Sequence, residues 1–413
     1  MLHAQPPRRW LWHNRDYMLL WGGQVVSTLG SAASSVIYPL LILALTGSPE
    51  AAGIAGALRA APYLVLSLPV GALIDRWDRK RVMILCDLGR ALAAASIPVA
   101  MGLGMLTLWQ IYAATLIEGS LFVLFNIAEV AALPRIVPSH QLPQAAAQNE
   151  AGFGVANIVG PSFGTVLYEG FGRAVPFIAD ALSYVVSVAT LLRIRTPFRA
   201  APSPVRRDLR AEIAEGLRWM WANPLIRYMA FLTGGLNLIN AAAPLVMIVL
   251  AKHLGAGDAE IGVIFSLGGI GGVVGSLVGG QIQKRFTFGQ VIVALVWIDA
   301  LLFPLYAIAP SYLLLGAISG LIYLLGPIYN VVQFSYRLSI IPDELQGRVN
   351  STFRLIAFGF MPLGAWLSGA LIERVGVLDT VLAFAAWLLL LAGLTTVNRH
   401  VRKARPIAQP ATA

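Results

Sequence analysis

Apolar stretches of about 20 residues, enough to cross a bilayer as helix, follow one another along this chain with short polar breaks between them. They cover residues 17–45, 51–73, 82–103, 108–133, 144–168 and 174–192 in the first half. In the second half they cover 225–250, 261–282, 289–308, 312–334, 349–372 and 378–397. The pattern predicts an all-α membrane protein of twelve transmembrane helices, grouped as two six-helix bundles over 17–192 and 225–397. A polar linker, 193–224, joins them, and tails 1–16 and 398–413 flank them. Within the linker, 208–221 reads as an amphipathic helix lying on the membrane. Leu209, Ile213, Leu217 and Met220 share one face, and Trp219 and Trp221 suit the interface. The first apolar run lacks a short core ending in a small-residue cleavage site, so it reads as a retained helix.

Charge changes the picture from spans to topology. Arg8, Arg9, Arg15, Arg76, Arg79, Lys80, Arg81 and Arg135 fall on one side of the alternating breaks, as do the linker arginines, Lys284, Arg285, Arg337, Arg348 and the tail cations from Arg399 on. The other side holds Arg173, Lys252 and Arg374. Cytoplasmic loops are enriched in Lys and Arg, so both termini are expected in the cytoplasm. Only 12% of the 413 residues are charged and 57% are hydrophobic, too little charge to coat a soluble fold of this size. The net charge of +10 sits in short clusters with no continuous basic stripe, which argues against a nucleic-acid partner. Cys86 is the single cysteine, and the five histidines fall in loops and tails without ligand spacing, so no disulfide, metal or cofactor is expected. No Walker loop is present. The run Gly268 to Gly275 lies inside a span and reads as a close-packing face, not a dinucleotide loop. No enzyme signature remains.

The halves resemble each other. Phe125-Asn126-Ile127 followed by Arg135-Ile136-Val137-Pro138 is echoed by Tyr329-Asn330-Val331 followed by Ser339-Ile340-Ile341-Pro342. Parallel repeats of this kind place a binding site between the halves near the midplane. The turn after the second span reads Gly71-Ala72-Leu73-Ile74-Asp75-Arg76-Trp77-Asp78-Arg79-Lys80-Arg81. Its Gly71 allows backbones to approach closely, Asp75 offers a carboxylate at a helix end, and the arginines offer planar forks.

This turn resembles motif A of the major facilitator superfamily, with Gly71, Leu73, Asp75, Arg76, Arg79 and Lys80 in place and Asp78 where a glycine is usual. The resemblance implies the major facilitator fold, and a latch that clamps the two halves on the cytoplasmic side, with Asp87 and Arg90 completing its network. The second-half copy, Gly279 to Arg285, is degenerate, with Gln283 at the carboxylate position. More of the chain resembles the branch of macrolide efflux pumps and the enterobactin exporter: Leu20-Trp21-Gly22-Gly23-Gln24, Thr46-Gly47-Ser48, Phe177-x-x-Asp180-Ala181-x-Ser183-Tyr184 and Ile341 to Val349. Gly160, Pro161 and Gly164 resemble the exporter motif C, with Ala156 and Thr165 replacing its outer glycines. A packing kink without bearing on direction explains them equally well. Motif B is not kept: Glu118-Gly119 stands at its Gln-Gly and Thr115 at its arginine.

Charges inside spans need a partner, water or a proton. They are Asp87, Glu118, Glu129, Asp180 and Asp299, with Arg59, Arg90 and Arg354. Glu129 has Arg135 or Arg76 as a candidate partner. Low-dielectric surroundings favour the neutral form of a carboxyl group, as a proton carrier requires. Glu118, Asp299 and Asp180 are therefore the candidates for proton coupling, against a structural reading in which each is hydrogen-bonded across helices. Candidate cavity residues are Gln24, Asn126, Asn237, Asn240, Asn330 and Gln333, polar groups among aromatics that suit an amphipathic organic molecule. The expectation is a monomeric transporter of the bacterial inner membrane that exports a drug-like or siderophore-like small molecule on the proton gradient. The rivals are a solute importer, a lipid flippase and a non-transporting sensor of the same fold.

Overall fold

The computed structural model describes residues 11–74, 77–198, 209–342 and 345–404. Its regular elements are helices, with no strand among the described residues. The first bundle comprises α1 (Arg15–Thr46), α2 (Pro49–Ile74), α3 (Arg79–Gly102), α4 (Leu108–Ile136), α5 (Leu142–Phe171) and α6 (Val175–Arg193). The linker helix is α7 (Leu209–Ala222). The second bundle comprises α8 (Pro224–His253), α9 (Asp258–Arg285), α10 (Phe288–Leu302), α11 (Tyr312–Ile340), α12 (Gln346–Gly359), α13 (Met361–Val375) and α14 (Val377–Val397), with a short α15 (Arg399–Arg402) after it.

Ten segments are long and apolar enough to cross a membrane, counting α10 with the 3₁₀ stretch Phe303–Ile308 and α12 with α13 as single segments. The other two membrane-length helices are α2 and α5, of 26 and 30 residues. The expected single span at 349–372 is two helices meeting at Phe360. Pro362 stands in the first turn of α13, where its missing N–H and fixed φ suit a helix start and not a helix interior. Pro304 likewise converts the end of α10 to 3₁₀. Side-chain caps fix the loops: Asn14 on α1, Thr107 on α4, Asn223 on α8 and Ser311 on α11 each accept from a backbone N–H of the first turn. Exposed Leu85, Leu92, Val130, Leu277 and Leu390 give the molecule an apolar outside, as lipid requires.

Packing repeats between the halves. In the first bundle α1 lies on α5 and α6, α2 on α4, and α3 on α4 and α6. In the second, α8 lies on α13 and α14, α9 on α11, and α10 on α11 and α14. The bundles meet along two seams, α2 with α13 and α12, and α5 with α9. Asn14 Nδ2 donates to the Ile136 carbonyl at 2.8 Å, and Thr196 Oγ1 to Asp16 at 2.5 Å, which gathers the start of α1 with the ends of α4 and α6. This is the terminal end of the molecule, and the opposite one is the far end. Arg79, Lys80, Arg81, Arg135, Arg193, Lys284, Arg285, Arg337 and Arg348 mark the terminal end; Arg173, Lys252 and Arg374 mark the far end.

The linker helix is tied to the second bundle. It packs on α12 and α8, and Arg348 meets Glu215 at 2.5 Å. Met220 is buried and Trp221 exposed, as expected of an interfacial helix. Leu217, grouped with Met220 on the apolar face, is exposed, as a residue on the membrane-facing side of such a helix would be. The packed face is set instead by Met220 and by Gly216, whose backbone lies against the Arg348 carbonyl. Leu209 and Ile213 lie outside the residues whose side chains are described.

Candidate substrate pathway and gates

The first bundle holds a chain of buried polar groups contributed by four helices. Tyr38 on α1 donates to Glu118 on α4 at 2.6 Å, and Ser34, one turn earlier on α1, donates to Asp180 on α6 at 2.6 Å. Ser31, a further turn along, bonds Tyr184 on α6 at 2.8 Å and accepts from Arg90 on α3 at 3.2 Å. Arg90 also meets Asp87 at 3.4 Å and lies 4.1 Å from the centroid of the Tyr184 ring. Tyr38, Asp87, Arg90, Glu118, Asp180 and Tyr184 are all buried. The spacing Ser31, Ser34, Tyr38 puts three hydroxyls along one stripe of α1, each facing a charged neighbour. One oxygen of each carboxylate, Asp87 Oδ2, Glu118 Oε2 and Asp180 Oδ1, is buried with no hydrogen-bond partner. Such an atom is costly as a bare anion and inexpensive once protonated.

This draws Arg90 inward, away from the turn it was grouped with, and Asp87 is paired with it. Arg90 lies eleven residues into α3, and its described contacts run inward to α1 and α6. Asp75 and Arg76, the centre of the expected latch, lie outside the described residues. Around them, Asp78 caps α3, accepting from Lys80 N at 3.0 Å and Arg81 N at 3.3 Å. The residue that departs from the family motif is thus a helix cap. Lys80 Nζ donates to the Ile194 carbonyl at 2.7 Å and Arg79 to that of Ala131 at 3.0 Å. Gly71 was expected to bring backbones together, but a Cβ there would meet open space, and Leu73 is exposed. The terminal end of α2 is therefore disengaged from the second bundle at this position.

The far end is the opposite case. Glu373, in the last turn of α13, accepts from Ser48 Oγ at 2.5 Å and Glu50 N at 2.9 Å, capping α2 of the other bundle. Glu169, in the last turn of α5, accepts from Ala259 N at 2.8 Å, capping α9 of the other bundle. The two are repeat-related. Each stands three residues before a glycine of positive φ, Gly172 at 102° and Gly376 at 87°. Each capped N–H lies three residues before a glycine, Gly53 or Gly262, that packs on the partner helix. A Cβ on Gly53 would come within 2.7 Å of the Ala365 carbonyl, so the seam closes only with glycine there. Ser162 on α5 and Ser266 on α9 add a bond of 2.8 Å across the second seam.

The remaining candidates divide. Asn237 Nδ2 donates to the Ala357 carbonyl at 2.8 Å, and Gln333 Nε2 to Thr233 at 3.3 Å, so both are tied inside the second bundle. Asn240 and Asn330 are exposed, Asn126 is half-buried, and Gln24 Nε2 is buried without a hydrogen-bond partner. Asn126 and Asn330 each stand ten residues before the end of their helices, α4 and α11, as the repeat requires. Asp299 lies on α10 in the other bundle, apart from the polar chain, with Oδ1 buried and unbonded. Glu129 forms no ion pair with Arg135 among the described residues. Gly160 and Gly164 face Ala32 and Ala33 of α1, where a Cβ on Gly164 would approach the Ala33 carbonyl to 2.5 Å, so this motif is a close-packing site. No group of side chains able to hold a metal ion occurs among the described residues. Sequence reasoning missed Glu169 and Glu373, although the repeated Glu-x-x-Gly at the two helix ends was a readable signal.

The family model for transmembrane secretion effectors matches residues 12–412. The chain belongs to that family. It is 27% identical over 399 residues to the multidrug efflux pump Tap of Mycolicibacterium fortuitum, covering 92% of this chain and 95% of Tap. It is 26% identical over 399 residues to macrolide efflux protein A of Streptococcus pyogenes, covering 94% and 96%. Over 346 residues it is 24% identical to the enterobactin exporter EntS of Salmonella typhi, covering 84% and 83%. The nucleoside transporter NupG superposes with a TM-score of 0.76 at 14% identity, covering 94% of this chain and all of NupG, which establishes the shared fold. This secretion effector is a multi-pass membrane transporter of the major facilitator type, not an enzyme, and small molecules are its substrates.

Proposed function

We propose that the protein exports an amphipathic small molecule from the bacterial cytoplasm, driven by proton entry. The observation that carries this reading is the pair Glu118 and Asp180. Both are buried; Glu118 is bonded by the Tyr38 hydroxyl and Asp180 by that of Ser34, with the Tyr184 hydroxyl beside it. Carboxylates so placed alternate between a protonated state in this conformation and an ionised state once water or a cation reaches them. The relatives supply the direction, since all three are named for efflux or export. The Lys and Arg excess at the terminal end supports a cytoplasmic location for that end and for both termini. The far-end caps then make this an inward-facing conformation, closed to the outside. The extensive contact between the two bundles, both within one chain, supports a monomer as the working unit.

The test is transport in proteoliposomes loaded with a pH-sensitive dye, using erythromycin and phenylnaphthylamine as probe substrates. Wild type is expected to couple substrate movement to proton movement. Glu118→Gln is expected to abolish gradient-driven transport while keeping substrate counterflow, which needs no net proton. Gradient-driven transport at the wild-type rate in Glu118→Gln and in Asp180→Asn would overturn the assignment of these carboxyl groups.

A further inference from the structure

Arginine at mid-depth in a membrane protein is costly unless matched, and this chain treats its deep arginines in two ways. Arg90 is matched by Asp87 and enclosed by the polar chain. Arg59 on α2 and Arg354 on α12 form no ion pair with a carboxylate among the described residues. Arg59 lies ten residues into α2 from the far end, about 15 Å at 1.5 Å per residue, and Arg354 lies eight residues into α12 from the terminal end, about 12 Å. Positive-inside topology explains neither, because neither is in a loop.

Arg354 points into the seam between the bundles, whereas Arg59 points toward Tyr38 of α1. Arg59 and Tyr63 are four apart and share a face of α2; Arg354 and Phe358 are four apart and share a face of α12. The two faces meet. Arg354 donates to the Tyr63 hydroxyl and lies 5.7 Å from the Tyr63 ring centroid and 5.8 Å from that of Phe358. The two rings are 5.2 Å apart and tilted by 54°. Arg59 lies 5.9 Å from the centroid of Tyr38, the residue that bonds Glu118. Arg354 is exposed, and a guanidinium has five N–H donors, of which one is used by Tyr63. One cation with donors to spare, Arg354, and two aromatic rings make a cradle for a flat apolar body that carries an anionic group; Arg59, one turn from Tyr63 on α2, adds positive field beside it, with the Glu118 and Asp180 carboxyl groups on its Tyr38 side. The rings take the body and the planar fork takes two oxygens of the anion.

We infer that this seam is an anion-accepting subsite, and that the substrate class is an amphipathic organic acid bearing a carboxylate, sulfonate or phosphate beside an aromatic body. The inference deepens the export reading and rests on it for direction and energy, while binding at the seam needs neither. A phospholipid headgroup offers the same anion chemistry from a second source.

Anilinonaphthalene sulfonate and phenylnaphthylamine share one ring system and differ by the sulfonate. Their dissociation constants are measured by scintillation proximity on purified full-length protein in phosphatidylcholine nanodiscs. Wild type is expected to favour the sulfonate by roughly ten-fold, the scale of one charge-assisted contact. Arg354→Gln is expected to bring that ratio close to one, with Arg354→Lys retaining part of it. Should Arg354→Gln not fold, Arg59→Gln is expected to lower the ratio in the same assay. A wild-type ratio near one, or a ratio that survives these substitutions, overturns the subsite. Loss of sulfonate binding on adding phosphatidylglycerol assigns the cradle to lipid and overturns the organic-acid class. Proton-driven uptake of both probes into everted vesicles is scored separately, so a failure of coupling with the ratio intact counts against the export reading alone.

Discussion

Tyr38 shows how much one hydroxyl can decide. It donates to one oxygen of Glu118 at 2.6 Å, and the other oxygen is buried without a hydrogen-bond partner among the described residues. A hydrogen bond to a charged or proton-sharing group contributes about 1.5–3 kcal/mol when both partners are present, and a stranded partner costs as much. Tyr38→Phe and Glu118→Gln are therefore expected to be non-additive. Their double-mutant cycle, read from unfolding midpoints in a single detergent, should give a coupling of about 1.5–3 kcal/mol; additivity within about 0.5 kcal/mol would mean the contact is incidental. The sequence displayed Glu118 as a deep carboxyl group but concealed its partner, because Tyr38 is 80 residues away on another helix. Ser34 and Asp180 are separated by 146 residues and were hidden for the same reason. Residue types and depth could be read from hydropathy, whereas pairings needed the rotation of each helix about its axis.

At the scale of elements, the seams explain how a chain of mostly apolar helices can be closed at one end and free at the other. The far-end closures are a carboxylate on a helix N-terminus in each seam, a geometry that satisfies orphan N–H groups and the helix dipole together. Removing such a cap costs about 0.5–2 kcal/mol. Glu169→Ala with Glu373→Ala should thus shift the closed population by roughly ten-fold or more, since 1.4 kcal/mol is a factor of ten. Spin labels at Arg173 and His253, exposed on opposite bundles at the far end, report this shift. A longer component is expected in the distance distribution of the double variant, and a distribution unchanged from wild type would show that glycine packing alone holds the seam. The spans themselves were legible because a 20-residue apolar run has few other uses. The break at Phe360 was not, because Pro362 inside an apolar run is compatible with a kinked helix as well as with two helices.

For the whole molecule, the unequal engagement of the two ends and the unequal distribution of charge have to agree. The far end is sealed along α2–α13 and α5–α9, and it carries few cations. The terminal end carries most of them, and there α2 presents an open Gly71 and an exposed Leu73. If the cation-rich end is cytoplasmic, the resting conformation admits substrate from inside, the arrangement an exporter needs before its loading step. If the orientation were inverted, the same contacts would describe an importer waiting for an external solute. Cysteine labelling separates the two, and the native Cys86 is buried and stays silent. Leu73→Cys should react with an impermeant maleimide in everted vesicles and not in right-side-out spheroplasts, while Arg173→Cys should do the reverse. Sealing at the far end adds a second requirement: Ser162→Cys, nearly isosteric with the native serine and placed within the closed α5–α9 seam, should stay unlabelled from either side until the Glu169 and Glu373 caps are removed. Labelling of Arg173→Cys from the everted face would invert the topology, and with it the direction of transport drawn from this conformation.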